Sequence, residues 1–442
     1  MQYCTRCLYP ENHPYGLIFD KDGVCSGCRV HEEKDYLNWE KRFLLLKNIV
    51  FENKKHLDIN NFDCIVPVYG GGDSYFTVHV VKNILGMNPL LVHYNSEFNT
   101  KIGIRNLANL ATVFDCDMVT STVAPSLLKR ITRASIKKYG NLYWQVIAGR
   151  LTFPVQVAVK YKIPLIFWGV HPWSDQTGMY QHINEVEMTE RCRKEHGLYG
   201  VSAEDFVGSE NLSRSDMQPF IYPYDNEIEA IGVRGVYLSN YIRWDSKKQH
   251  EEMINMYGYE TFSQQRTFNT YEDIHCFHSA GIHDYMKYIR LGYGKITDHA
   301  SREIRLKRMT RIEGINLVNN LEQVEPNDLD IFLNWIELSN EKFKSLYWDM
   351  RDKNIWKKNK NEEWELKDSI KNYSSTNLTR KVSFDKLEEC KFILTDRAEP
   401  DVVENKYLLM GRNYINKNNY GAVQNSVEGG SMTKRKWKEK DI

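Results

Sequence analysis

Three glycines, an acid and a hydroxyl lie side by side in this chain, and together they have the residue types that bind phosphate. Residues 64–68 before them are apolar, and residues 75–85 after them show helical spacing. Glycine lets the backbone approach a ligand where a Cβ atom would collide, and a helix N-terminus presents unpaired N–H groups to an anion. The sequence therefore predicts a phosphate-binding turn between a strand and a helix, formed by Gly70, Gly71, Gly72, Asp73 and Ser74. The alternative for Asp73 and Ser74 is a structural role as caps of that helix.

Four of the nine cysteines form two CxxC pairs, which is a metal-binding spacing. Seventeen residues separate the pairs, as in four-thiolate zinc sites, and the ligands would be Cys4, Cys7, Cys25 and Cys28. Four protein ligands leave no open position, so we expect a structural Zn²⁺ ion. Two disulfides are the alternative, but nothing indicates an oxidising compartment. The remaining five are interpreted as buried small apolar residues: Cys64, Cys116, Cys192, Cys276 and Cys390.

Alternating apolar runs and helical patterns predict the elements that position these residues. Strands are expected at 64–68, 89–94, 117–120 and 164–169, with helices between them. This alternation is typical of an α/β fold with a parallel sheet covered on both faces. Ligands bind beyond the carboxyl ends of such strands, which is where the glycine turn, Asn95 and Gly169 fall.

Beyond about Gly178 the sequence becomes more polar, and we predict a mostly helical region with clear helices at 245–257 and 299–314. In the second helix three arginines recur every three residues, so they would share one face. That face is either a solvated surface with local ion pairs or a clamp for the phosphates of a nucleotide-linked substrate. The three residues are Arg302, Arg305 and Arg308.

Composition and charge limit the class of protein. The 442 residues include 59 basic and 58 acidic side chains, so no global field would attract nucleic acid or an anionic membrane. No apolar stretch approaches the roughly 20 residues that span a bilayer, and the N-terminus lacks a secretion signal. We therefore expect a cytoplasmic protein.

Four segments are predicted along the chain. They are a zinc-knuckle module with a linker helix (1–45), an ATP-binding α/β domain (55–240), a helical C-terminal region (241–350) and a polar extension (351–442). Within the extension, 391–395 and 406–410 have the composition of short strands, and residues from 413 onward are expected to be flexible.

The glycine turn resembles the PP-loop, Ser-Gly-Gly-x-Asp-Ser, of ATP pyrophosphatases. Two further motifs, residues 237–245 (YLSNYIRWD) and 292–300 (GYGKITDHA), together with the CxxC pairs, resemble the N-acetyl sugar amidotransferase family. The resemblance covers Met1 to about Leu346. It implies a parallel sheet of the PP-loop, or adenine nucleotide alpha-hydrolase, type.

The resemblance also implies an activity in bacterial surface-glycan (lipopolysaccharide) or flagellin-glycan biosynthesis. ATP would adenylate the oxygen of a sugar acetamido group, and ammonia would then displace AMP to give an acetamidino group. The turn, with Tyr69 at its start, would bind the phosphates, Asp73 would position Mg²⁺, and Ser74 would add a hydrogen bond. The nucleoside would contact His93, Tyr94 and Asn95. Ammonia would come from a partner glutaminase–cyclase pair similar to imidazole glycerol phosphate synthase, since no glutaminase Cys-His-Glu arrangement is visible here.

The chain departs from the family pattern inside the turn itself. Tyr69 replaces the leading serine, Gly72 stands where relatives often have lysine, and Val170 and His171 follow Gly169 where relatives tend to have an acid. A non-catalytic binding or scaffold protein is therefore a second hypothesis. A PP-loop tRNA-modifying enzyme is a third, but the near-zero net charge counts against it.

Aromatic residues near the expected site have two interpretations. Trp144 and His171 could line a sugar pocket, because aromatic faces stack on sugar rings, or they could belong to the core.

Overall fold

A five-stranded, fully parallel sheet lies at the centre of the protein. The computed structural model describes residues 1–54, 62–190, 192–348 and 350–373. In chain order the strands are β1 (Cys64–Val68), β2 (Pro89–Asn95), β3 (Met118–Thr122), β4 (Leu165–Trp168) and β5 (Arg234–Tyr237). Their order in the sheet is β3-β2-β1-β4-β5. The α/β fold with a parallel sheet, an N-terminal cysteine cluster and a helical C-terminal region is thereby confirmed.

Fourteen α-helices lie within the described ranges, and most of the predicted ones are present. Four precede or follow the first two strands: α1 (Ser26–Glu33), α2 (Trp39–Lys54), α3 (Gly72–Val78) and α4 (Lys101–Val113). The next four accompany the rest of the sheet: α5 (Pro125–Tyr139), α6 (Trp144–Tyr161), α7 (Pro172–Thr177) and α8 (Asp225–Ile231). The C-terminal region holds α9 (Ser246–Tyr257), α10 (Ile282–Leu291), α11 (Lys295–Arg305), α12 (Arg311–Leu321), α13 (Leu329–Ile336) and α14 (Asn340–Trp348).

Apolar side chains alternate between the two faces of the sheet, as expected for buried parallel strands. Val66 and Leu91 pack with α3, α4 and α9 on one face, whereas Ile65, Leu90 and Ile166 pack with α6 on the other. The helix layers hold the carboxyl ends of β1, β2 and β4 at one edge, where the glycine turn begins.

Residues 178–240 are less helical than predicted. Residues 178–224 contain only short 3₁₀ and π-helical turns, and β5 was not predicted at all. The strand has four residues, one of them Gly235 and one the exposed Arg234, so it lacks the length and alternation by which a strand is recognised.

The predicted single helix at 299–314 is also wrong. Helix α11 begins earlier and ends at Arg305, and Lys307 takes a left-handed backbone conformation with a φ of 63°. Helix α12 starts afresh after Thr310, whose side chain accepts the Glu313 N–H while the Glu313 carboxylate accepts the Thr310 N–H. This capping box is readable in the sequence, and it explains the break.

The N-terminal module and the end of the described chain pack against these C-terminal helices. Arg311 of α12 donates to the carbonyl oxygens of Cys7 (3.2 Å) and Cys4 (3.3 Å). A hairpin of β6 (Trp356–Lys358) and β7 (Trp364–Leu366) follows α14, and Trp356 is buried against Tyr288. The hairpin lies in the stretch predicted to be a polar extension. Cys390 and the predicted segments 391–395, 406–410 and 413–442 lie outside the described residues.

None of the helices in these described ranges combines the length and the apolar character needed to cross a bilayer.

Candidate functional site

The glycine turn connects β1 to α3 in a conformation that needs glycine. Gly70 has a φ of +77°, and a Cβ atom there would lie 2.5 Å from the Gly103 carbonyl oxygen of α4. A Cβ atom on Gly71 would lie 2.3 Å from the Tyr69 ring. The turn is therefore as tight as the sequence predicts, because other atoms occupy the space where its glycines would carry a Cβ atom.

Asp73 and Ser74 lie in the first turn of α3 and do not cap it. Gly71 is the N-cap residue and no side chain caps the helix, so the capping alternative is not observed. Instead the Ser74 hydroxyl accepts the N–H of Tyr69 at 3.2 Å, which closes the turn. Burial raises the pKa of the Asp73 carboxyl to about 6, and its Oδ1 atom accepts no hydrogen bond within the described part of the protein.

The Tyr69 ring packs against two basic residues. Its centroid lies 4.6 Å from that of His275 and 5.0 Å from the Arg150 guanidinium carbon. Arg150 in turn lies 2.9 Å from His275 Nε2, and the phenol oxygen lies 3.4 Å from Asp73 Oδ2. With the ring held there, a cavity remains open on each side of it.

The first cavity has a volume of about 210 Å³ and lies over the carboxyl ends of β1, β2 and β4; we call it the apolar cavity. Of the three residues predicted to contact the nucleoside, Tyr94 lines it but His93 and Asn95 do not, and Gly169 lines it as well. Alternate residues of a strand face opposite sides, so Val92 and Tyr94 face the cavity together. His93 lies 2.9 Å from the Val68 carbonyl oxygen instead. The other lining residues include Val68, Tyr69, Asp73, Thr77, Arg150, Trp168 and Val170.

The second cavity has a volume of about 240 Å³ and is lined mainly by ionisable residues; we call it the charged cavity. Tyr69 and Asp73 line both cavities, so the two meet at the glycine turn. Its carboxylates are mostly paired: Asp175 with Lys34 at 2.9 Å, Asp298 with Lys287 at 2.5 Å, and Asp273 with Lys295. The lining residues are Tyr9, Tyr69, Gly71, Gly72, Asp73, Pro172, Asp175, Gln176, His250, Glu272, Asp273, Lys295, Asp298, His299, Arg302 and Arg305.

The three predicted arginines form neither a solvated face nor a set of free guanidinium groups. Arg302 makes two hydrogen bonds to Glu272, at 2.8 and 2.5 Å. Arg305 donates to the Asp175 carbonyl at 2.9 Å, and its Nη2 lies 3.5 Å from Cys25 Sγ. Both line the charged cavity.

Arg308 lies in the loop after α11 and outside both cavities. It makes two hydrogen bonds to Asp245, at 2.9 and 2.7 Å, and two more to Glu303. Since Asp245 is the N-cap of α9, the role that the structure gives Arg308 is to hold that helix.

Trp144 and His171 line neither cavity. Trp144 is 2% exposed, packs against Phe206 and donates to the Val201 carbonyl at 3.0 Å. It therefore belongs to the core. His171 caps α7, with Nδ1 accepting the Ser174 N–H at 3.2 Å. Its ring also lies in a buried group with Cys192 and His196, whose ligand atoms are within 4.8 Å of one another.

The four predicted thiolates converge on one point. The sulfur of Cys4 lies 3.9 Å from that of Cys28, and the sulfur of Cys7 lies 3.7 Å from that of Cys25. A tetrahedral metal with bonds of about 2.3 Å places its sulfurs about 3.8 Å apart, whereas a disulfide needs about 2.05 Å. All four cysteines are free and buried, so the disulfide alternative is not observed and the group can hold a metal ion.

Several residues of the charged cavity were not predicted. Glu272 and Asp273 lie in residues 258–281, which contain no helix or strand, and no motif marks them. Lys295 could have been predicted, because it lies in the motif at 292–300. His250 lies in a correctly predicted helix, but its contact with the turn is visible only in three dimensions.

Comparisons with known proteins find a similar family for residues 261–371. Residues 261–371 match the family described as LPS biosynthesis protein WbpG-like, C-terminal domain. The uncharacterized protein MJ1599 of Methanocaldococcus jannaschii is 23% identical over 116 residues, which are 26% of this chain and 41% of that protein. The structure of NMN synthetase from Francisella tularensis aligns with 49% of this chain and 94% of its own at 13% identity, with a TM-score of 0.25.

The match runs past Leu346, where the predicted resemblance ends. It includes the hairpin of β6 and β7 and the charged-cavity residues Glu272, Asp273, Lys295 and Arg302. Residues 261–371 are thus similar to the WbpG-like C-terminal domain.

Proposed function

We propose that this protein is an ATP-dependent, AMP-forming amidotransferase that converts the acetamido group of a sugar to an acetamidino group, in lipopolysaccharide or flagellin-glycan biosynthesis in the cytoplasm. One observation carries the proposal. The glycine turn lies between an apolar cavity at the sheet edge and a charged cavity walled by the WbpG-like domain, and it contributes Tyr69 and Asp73 to both.

ATP fits this arrangement in one orientation. The apolar cavity suits the adenosine, with Tyr94 and Val92 as walls. The backbone N–H groups of the glycine turn suit the phosphates. The α-phosphate would then lie near the junction of the cavities. Asp73, with an Oδ1 atom that lacks a hydrogen bond, is the residue here that would hold Mg²⁺, which would neutralise charge on the pyrophosphate.

The chemistry needs an activated amide, because an amide oxygen is a very poor leaving group. The acetamide oxygen attacks the α-phosphorus, a P–O bond forms and pyrophosphate leaves. Ammonia then attacks the imidate carbon, and the C–O bond to AMP breaks as a proton is lost from nitrogen. The charged cavity would hold the sugar.

The cysteine group would hold Zn²⁺ as a structural ion. The spacing, the burial and the sulfur separations all suit a four-thiolate site with no position left for substrate. A separate glutaminase–cyclase pair would supply ammonia to the enzyme.

Titration calorimetry with magnesium and a non-hydrolysable ATP analogue tests the binding step, and AMP release tests the reaction. We expect AMP only when ATP, an N-acetylated nucleotide sugar and ammonium chloride are all present. Glutamine in place of ammonium should give none without a partner. Absence of analogue binding would favour the scaffold hypothesis, and binding without AMP formation would refute the reaction.

A further inference from the structure

The side-chain position of Gly72 is already occupied, and by a residue of another helix. A Cβ atom on Gly72 would lie 1.8 Å from Cδ2 and 2.2 Å from Nε2 of His250. The Gly72 backbone is not in the left-handed region, and the three atoms nearest to a Cβ atom at position 72 all belong to this ring. His250 is 1% exposed and projects from α9 onto the first turn of α3.

The orientation of the ring is fixed by its other contacts. Nδ1 lies 2.6 Å from the Ser246 carbonyl oxygen, and a carbonyl only accepts, so Nδ1 carries a hydrogen. Nε2 then faces the turn, 3.8 Å from Asp73 Oδ1. Tyr271 packs against the ring with a centroid separation of 4.8 Å. His250 is therefore held rigidly with one nitrogen directed at the phosphate-binding turn.

The lysine and arginines of the charged cavity are engaged elsewhere. Lys295 pairs with Asp273, Arg302 makes two hydrogen bonds to Glu272, and Arg305 contacts the cysteine group. Among the described residues that line this cavity, His250 is the basic residue in van der Waals contact with the turn itself.

We propose that His250 provides from α9 the basic group that the turn lacks at position 72, and that it binds the pyrophosphate part of ATP. In this role the ring donates Nδ1–H to the Ser246 carbonyl and Nε2–H to a phosphate oxygen. This assignment rests on the proposed function only in taking ATP as the ligand of the turn.

Calorimetry with two probes separates this role from a structural one. His250→Ala should weaken binding of the magnesium–ATP analogue by about ten- to hundredfold, as expected for a hydrogen bond to a charged group, and leave adenosine binding unchanged. His79→Ala is the matched control, since His79 follows α3 directly but lines neither cavity. It should leave both ligands unaffected.

A position swap makes the test stricter. In His250→Ala the space at position 72 is free, so the double variant Gly72→Lys/His250→Ala should recover analogue binding. Equal analogue binding by His250→Ala and the natural protein would overturn the assignment, as would an equal loss of both probes. If His250→Ala does not fold, His250→Gln is measured by the same criteria. Lack of analogue binding by the natural protein would instead refute the proposed function.

Discussion

The two cavities that meet at the glycine turn are built in different ways. The apolar cavity is formed by the ends of three strands and by α6, all within residues 67–170. The charged cavity collects residues from the N-terminal module, the turn, α7, α9 and α11, between Tyr9 and Arg305. The apolar cavity can thus be specified by one local sheet pattern, whereas the charged cavity depends on segments far apart in the chain.

The electrostatics of the two sides also differ. Paired charges in the charged cavity are held by partners that are themselves buried, and burying a charge without a partner is expensive. The apolar cavity contains few such groups, so changes there alter shape rather than charge balance. Substitutions on the two sides should therefore have separable effects.

The largest effect is expected on the charged side, in stability. Arg302→Ala removes the two hydrogen bonds from Arg302 to the Glu272 carboxylate, which keeps Asn269 at 2.7 Å and His299 at 3.2 Å. The loss should be about 3 kcal/mol, the lower end of the range for breaking a buried pair. Chemical denaturation in the presence of zinc measures this loss. The double variant Arg302→Ala/Glu272→Gln also removes the negative charge that Arg302 balanced, so it should recover part of the stability. A loss of less than about 1 kcal/mol would mean that the pair behaves like a solvated one.

A catalytic effect should follow next in size. Asp73→Asn removes the charge at the junction of the cavities, and losing one such electrostatic contact lowers turnover by about 10²–10³-fold. Rates of AMP release measure the change, while adenosine binding should stay the same because the apolar walls are intact. Asp216→Asn, on a surface loop outside both cavities, is the control. Unaltered turnover in Asp73→Asn would remove Asp73 from the chemistry.

The smallest effect is expected on the apolar side. Val170→Trp places a large ring in the apolar cavity, and because overpacking costs about 1–3 kcal/mol, adenosine and the ATP analogue should both bind at least about tenfold more weakly. Val207→Trp, at a valine that is 45% exposed, is the matched control. If the analogue still binds Val170→Trp normally, the nucleoside lies elsewhere and the distinction between the cavities fails.

The parts of this molecule that depend on local pattern were predictable from sequence. The four predicted strands, the tight turn and the convergence of the CxxC pairs all follow from residue types at short spacing. Strand alternation also places His93 and Asn95 on the face opposite Val92 and Tyr94, so the predicted nucleoside contacts conflict with a pattern that is readable in the sequence. The capping box at Thr310 was likewise readable and would have corrected the helix boundary.

The charged cavity could not have been assembled in the same way. Glu272 and Asp273 lie in an irregular segment, and His250 reaches the turn across 178 positions of the chain because α9 packs on α3. Such contacts are set by helix packing, which leaves no short-range signal. Even the regular spacing of Arg302, Arg305 and Arg308 was misleading, because the helix ends between the second and the third.

The contacts between the cysteine module and the helices α11 and α12 bear on when the cysteine group can be completed during synthesis. Cys7 contacts Arg305, which lies 298 positions later, and Arg311 donates to the carbonyls of Cys4 and Cys7 in the first knuckle. Chains are made from the N-terminus and their parts fold as they emerge. The cysteines therefore leave the ribosome long before their supporting helices exist. A metal ion held by them would be enclosed only when translation of that distant segment is complete.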